Sequence, residues 1–248
     1  MTPIRSLDAL PRVRLRELPI ALEPGTARLF LFDLDDPLWQ RKPGPLDPAE
    51  LDRAARFHFE RDARRYRASH AALRWVLAHH VGEPADALRF SAGAFGKPAL
   101  EGEHGWHFNL SHSGGLGLIG LCRGAPIGVD AEWMRPLDDR PALVRAHFSD
   151  AECAQFEHLS PELQQDAFFA AWSQKEAVMK ADGRGLSIDP RTLDVTIDPR
   201  APAHFVCKEP ISSTPWSLWS TRWPDGAWLA AAVAHPSVRF IAHLLVEP

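Results

Sequence analysis

At 248 residues and 45% hydrophobic content, the chain has material for one large domain or two compact halves around a buried core. A formal net charge of −4 excludes global attraction to DNA, RNA or anionic lipid, while leaving room for a local basic pocket. Three cysteines, Cys122, Cys153 and Cys207, stand far apart with no CxxC, which excludes a disulfide framework and a zinc knuckle and fits a reducing compartment.

The N-terminal stretch MTPIRSLDALPRVRLREL lacks an apolar core of signal-peptide length, and no run of 18 uninterrupted apolar residues occurs. The expectation is a cytoplasmic, monomeric protein without membrane or nucleic-acid partners. Residues 1–26 read as irregular and proline-punctuated. ARLFLFDLD, 27–35, reads as a strand. Asp47 and Pro48 open a first helix to about Phe59, and a second runs from Asp62 to about His80, stopping before Gly82. LRFSAGAFGKPAL, 88–100, reads as a short strand, a glycine turn and an extended X-Pro step. WHFNLSHS (106–113), LGLIGLC (116–122) and PIGVDAEW (126–133) read as three strands.

Ser149 and Glu152 fit a capping box, and Ser160 with Pro161 opens a longer helix to about Ala181. The segments LDVTI, FVC, WSLWSTRW, AWLAAAVA and VRFIAHLLV then read as strands. Each half holds helices followed by strands, which predicts an α+β fold with a boundary near residue 125. The halves are too dissimilar in sequence to establish a duplication.

Three motifs carry chemistry. In a strand, Asp130 and Glu132 project to the same face, with Cα atoms roughly 6.6 Å apart. Such carboxylates suit a hard cation, Mg²⁺ or Mn²⁺; the plainer alternative is an exposed acidic strand face. On the helix of WSQKEAVMKADGRG, 172–185, Trp172, Glu176 and Lys180 share one face. They form either a surface ion pair beside a core tryptophan or, facing the acids, a metal-plus-cation clamp for phosphate. In FNLSHS, 108–113, Ser111 and His112 precede two glycines, so they either cap a turn or hold phosphate oxygens. Lys97, in FGKP, sits in a rigid extended turn. FHFERDARRYRASHAALR, 57–74, groups Arg61, Arg64, Arg65, Arg67 and Arg74 on or near a helix whose face is mostly solvated.

FGKPAL, FNLSHS, IGVDAEW and WSQKEAVMKADGRGL, in that order, resemble the Sfp-type 4′-phosphopantetheinyl transferases, with similarity of pattern from about Leu46 to Ser187. The resemblance implies two similar α/β halves related by a pseudo-twofold, residues 1–125 on the coenzyme A side and 126–248 with the metal-binding strand and the W-x-x-K-E-A helix. Coenzyme A would lie between them. It implies transfer of 4′-phosphopantetheine from coenzyme A to a serine of an apo acyl or peptidyl carrier protein, leaving adenosine 3′,5′-bisphosphate. By position, Asp130, Glu132 and Glu176 match the Mg²⁺ ligands. Lys180 matches the lysine near the reacting phosphate, and Lys175 a second phosphate-side lysine. Lys97, Ser111 and His112 match coenzyme A contacts, and Arg53 and Arg65 match basic positions around the nucleotide. Glu176 or a metal-bound water would accept the serine proton. Glu152 matches another acid of the family, although the capping box gives it a local role.

The chain departs from the pattern at Glu50, where several relatives carry lysine, and at Ala131, where bulkier aliphatics are usual. A competing motif, LFLFDLDDPLW, 29–39, is similar to the first motif of haloacid-dehalogenase-type phosphatases, with Asp33 as nucleophile and Asp35 as acid. Pro37 stands where threonine or valine is expected, and no later G-D-x-x-x-D acid pair follows. A non-enzymatic coenzyme-sensing module is the other alternative, disfavoured because all acids and lysines of the pattern are present.

Overall fold

The computed structural model describes residues 10–41, 44–102, 104–207 and 215–247. Residues 1–9 of the stretch read as irregular lie outside the described residues. The chain opens with β1 (Arg12–Arg14) and β2 (Thr26–Asp33), followed by α1 (Pro37–Arg41), α2 (Pro48–Ala55) and α3 (Glu60–Val81). Then come β3 (Phe90–Ala92), β4 (Pro98–Leu100), β5 (Trp106–Ser113), β6 (Leu116–Arg123) and β7 (Ile127–Trp133). A second helical group follows: α4 (Arg140–His147), α5 (Asp150–Glu157) and α6 (Pro161–Asp182). The chain ends in β8 (Leu193–Val195), β9 (Phe205–Cys207), β10 (Ser217–Trp223), β11 (Ala227–Val233) and β12 (Arg239–Glu247).

The fold is α+β and its two halves repeat one plan. A strand, three helices, a short hairpin and a long hairpin run from β2 to β6, and again from β7 to β11. The sheet order matches as well, β2-β6-β5 in one half and β7-β11-β10 in the other, antiparallel throughout. Beyond this repeat, β12 crosses the boundary expected near residue 125. It pairs in parallel with both β2 and β1, giving a five-stranded sheet in the order β1-β12-β2-β6-β5. The free edge of β2 is thereby taken. The corresponding edge of β7 instead faces β5.

Helix ends follow local chemistry. Asp47 caps α2 in a full capping box with Glu50, and Ser149 does the same for α5 with Glu152. Helix α6 starts at Pro161 and stops at Gly183, whose φ of 96° is left-handed. Helix α2 is shorter than expected, ending at Ala55.

Strands β2, β6 and β11 are buried on both faces, so their apolar runs are continuous. Phe30 and Phe32 of β2 pack with Leu73, Val76 and Leu77 of α3, whereas Leu29 and Leu31 meet Val129 of β7 and Leu229 of β11. On β11, Ala230 and Ala232 turn the other way and lie with Ala177, Val178 and Ala181 of α6. Small side chains there let the helix approach the sheet closely. This brings the long helix of the second half over the acidic strand.

Candidate active site

Strand β7 carries Asp130 and Glu132, and α6 carries Glu176 and Lys180. The acid of Asp130 is buried, at 3% exposure. Its Oδ1 accepts from Lys180 Nζ at 2.6 Å and from Ser111 Oγ at 3.1 Å. Lys180 Nζ also donates to Ser111 Oγ at 3.1 Å. Asp130 Oδ2 is buried without a hydrogen-bond partner among the described residues. Burial, then the charge of Asp130, pushes the Glu132 carboxyl up to about 7. Burial raises Glu176 too; Lys180 opposes this and Asp130 adds to it. The three acids therefore feel one another's fields.

Among the described residues, no three acidic, histidine or cysteine side chains are gathered closely enough to hold a metal ion. Asp130 instead engages Lys180. The donor set nevertheless fits a hard divalent cation. It offers carboxylate oxygens, excess negative charge and an orphaned buried oxygen, the deficit such an ion would correct.

The β5 residues sit beside these acids. Ser111 Oγ donates to Asp130 and accepts from Lys180 and from the Ala131 N–H at 3.4 Å. A hydroxyl has one donor and two acceptor positions, so all of its capacity is used within the protein. His112 is open to solvent at the strand end, and its pKa is lowered by the protein packed around its ring, then by Lys180 and Arg65.

Lys97, on the β3–β4 turn, donates to the Ala181 carbonyl at 2.8 Å and to the Ile127 carbonyl at 3.1 Å, tying the end of α6 to the start of β7. Burial brings its pKa down to about 8. Three clefts, of about 560, 370 and 200 Å³, share Pro98 in their walls. The smallest joins Lys97 to Lys180, the largest runs past Trp106 and Arg184, and the third reaches Arg53. Lysine and arginine side chains thus line neighbouring clefts in spite of the net negative charge.

Arg53 is exposed, with its guanidinium 5.6 Å from the Tyr66 ring. Arg65 is held by Asp35 in a two-pronged pair of 2.9 and 2.5 Å. Asp35 is thus committed to Arg65, and Asp33 Oδ1 accepts the Asp35 N–H at 2.9 Å. The acids of the competing phosphatase motif build a turn and an arginine clamp. Glu50 accepts from Arg74 at 2.7 Å, a structural role consistent with its departure from lysine.

Lys175 requires a correction. Expected beside a phosphate, it is fully buried. Its ammonium pairs with Glu152 Oε2 at 2.6 Å and donates to the carbonyls of Pro190 and Leu193. Glu152 Oε1 accepts the Val195 N–H at 2.8 Å, so the pair fastens α5 and α6 to β8. Five residues of helix turn Lys175 well away from the face of Lys180.

Sequence reasoning did not single out Asn109, Ser113 or Gly128. Asn109 Oδ1 accepts the Val129 N–H at 2.9 Å, and Ser113 Oγ accepts the Trp133 N–H at 3.1 Å. The available signal was the polar alternation N-x-S-x-S at the end of β5.

The model of the 4′-phosphopantetheinyl transferase superfamily matches residues 126–233, and that of the 4′-phosphopantetheinyl transferase N-terminal region matches residues 36–120. The 4′-phosphopantetheinyl transferase HetI of Nostoc sp. is 33% identical over 220 residues, covering 87% of this chain and 90% of that protein. The 4′-phosphopantetheinyl transferase Sfp of Bacillus subtilis is 27% identical over 191 residues, covering 77% of this chain and 83% of that protein. The chain belongs to the 4′-phosphopantetheinyl transferase family and is an enzyme of the transferase class. Among the described residues, no helix is long and apolar enough to cross a membrane.

Proposed function

We propose that the chain transfers the 4′-phosphopantetheine arm of coenzyme A to a serine of an apo acyl or peptidyl carrier protein, releasing adenosine 3′,5′-bisphosphate. The observation that carries this is the Lys180 ammonium, 2.6 Å from a buried carboxylate of β7, on the wall of a cleft it shares with Lys97. Coenzyme A would lie along the joined clefts. Lys97, His112 and Lys180 would meet its phosphates, and Arg53 and Arg65 its nucleotide end. Asp130, Glu132 and Glu176 would hold Mg²⁺ or Mn²⁺, which when bound supplies Lewis-acid stabilisation of phosphoryl oxygens.

The residues of the chain do the rest. The carrier serine attacks the β-phosphorus of the pyrophosphate, and the bond to the nucleotide phosphate breaks. Negative charge grows on the phosphoryl oxygens and on the departing group, where the Lys180 ammonium stabilises it by position and charge. The serine proton passes to Glu176 or to a water. A basic or apolar patch at the groove mouth would dock the acidic carrier helix. We further propose that the two halves meet near residue 125, and that the enzyme works as a cytoplasmic monomer without nucleic-acid or membrane partners.

The test is incubation with coenzyme A, Mg²⁺ and a panel of apo-carriers, weighing the products. One phosphopantetheine arm is expected on a carrier serine, lost with chelator and lost in folded Asp130→Ala and Glu176→Ala. Coenzyme A binding without modification of any carrier would overturn the proposal.

A further inference from the structure

Arg74 of α3 is fully buried, and its guanidinium is engaged on every side. Nε donates to Glu50 Oε2 and Nη2 to Asp47 Oδ2, each at 2.7 Å. Nη1 donates to the carbonyls of Ala85 and Leu88, each at 3.1 Å. The cation also lies 4.9 Å from the centre of the Phe90 ring. Asp47 and Glu50 are the two acids of the α2 capping box, so one planar fork grips both.

The second half repeats the device. Lys175 of α6 is likewise fully buried. It bonds Glu152, the capping-box acid of α5, and the carbonyls of Pro190 and Leu193 in the chain leaving its own helix. In both halves the long helix uses a buried cation to hold the cap of the helix before it and the chain after it.

What Arg74 holds is the wall of a cleft. The cleft of about 370 Å³ is lined by Asp47, Glu50 and Arg53 from α2 and its cap, Tyr66 and His70 from α3, and Phe90 from β3. Arg74 lies behind this lining and bonds or stacks on three members of it. Helix α2 has eight residues and buries only Ala54, too little apolar surface to seat it firmly. The buried fork is its main anchor. Arg53 stands one turn beyond Glu50 on that helix, exposed, so its place follows from how α2 is held.

We propose that Arg74 is a positioning residue for the nucleotide end of coenzyme A: it fixes α2 and β3 against α3 and thereby sets where Arg53 meets the substrate, which Arg74 itself does not touch. This rests on the reading of Arg53 as a nucleotide contact.

The test uses the full chain, with coenzyme A binding followed by calorimetry and kcat measured on an apo-carrier. Arg74→Lys keeps the charge and loses the fork. It should weaken coenzyme A binding about tenfold and leave kcat at saturation unchanged. Glu50→Gln preserves the capping box, because glutamine serves at that position, and so keeps the inference testable should Arg74→Lys fail to fold. It should weaken binding about fivefold. The sign matters: an acid acting on the anion through charge alone would, once neutralised, leave binding tighter. Adding Arg53→Ala to Arg74→Lys should change little more, because Arg74 acts through Arg53. Wild-type affinity in both Arg74→Lys and Glu50→Gln, tighter binding in Glu50→Gln, or additive losses in the double variant would overturn the inference while Arg53→Ala alone still weakens binding. Wild-type affinity in Arg53→Ala alone would overturn the reading of Arg53 and this inference with it.

Discussion

Gly128 lies directly beneath Ala177: a Cβ at Gly128 would stand 2.1 Å from the Ala177 carbonyl oxygen and 2.3 Å from the Ala181 nitrogen. The glycine is required for close approach of two backbones, α6 over β7. That approach puts Lys180 within 2.6 Å of Asp130, two residues along the strand.

Gly128→Ala should accordingly lose about 3 kcal/mol or more of stability, because the colliding atoms are backbone and cannot swing aside. Transfer activity should fall further than stability explains, since the helix must lift off the acidic strand. Urea denaturation and initial rates check this. A wild-type midpoint would show that the helix sits less tightly.

Lys175→Ala and Glu152→Ala should each destabilise the fold by about 3–5 kcal/mol, because each leaves a buried charge unpaired. Coenzyme A affinity of the folded fraction should be unchanged. A variant with full stability and weakened coenzyme A binding would return Lys175 to the phosphate side.

Asp35 holds Arg65 beside the turn at Gly115. Asp35→Ala should raise the KM for coenzyme A about fivefold, roughly one hydrogen bond's net worth, with kcat unaffected. Adding it to Arg65→Ala should change nothing more, because the two residues act as one unit. Additive effects in steady-state kinetics would refute the clamp.

His80 links acid to unfolding. Its Nδ1 lies 2.8 Å from the Val76 carbonyl and must donate to it, and its Nε2 lies 2.8 Å from Arg28 Nη1 and must accept from it. The ring is therefore neutral, and burial holds its pKa at about 4 against an ordinary 6.5. Between these values the unfolded chain binds a proton that the folded chain refuses, so stability rises with pH across the window. The contribution is complete above about 6.5 and lost as pH falls toward 4, on the order of 3 kcal/mol. Urea midpoints at pH 7 and pH 4.5 should differ less in His80→Gln than in the wild type.

The legible parts of this protein are those that residues close in sequence decide. Asp47, Pro48 and Glu50 announce the start of α2, Ser149 and Glu152 that of α5, and Gly183 the end of α6, because a cap is completed within a few residues. The acidic strand and the helix of Glu176 and Lys180 were likewise visible in their periodicities. Pairings made across the chain were decided only by the tertiary structure. The seat of β12 between β1 and β2 follows from burial of both its neighbours' edges. The two lysines of one motif part company because α6 has a core face and a cleft face. Glu152, reached only through the packing of α5, draws Lys175 inward, while Asp130 meets Lys180 at the groove. Local hydrogen bonding wrote the elements into the sequence; burial against distant strands chose which of their charges face the site.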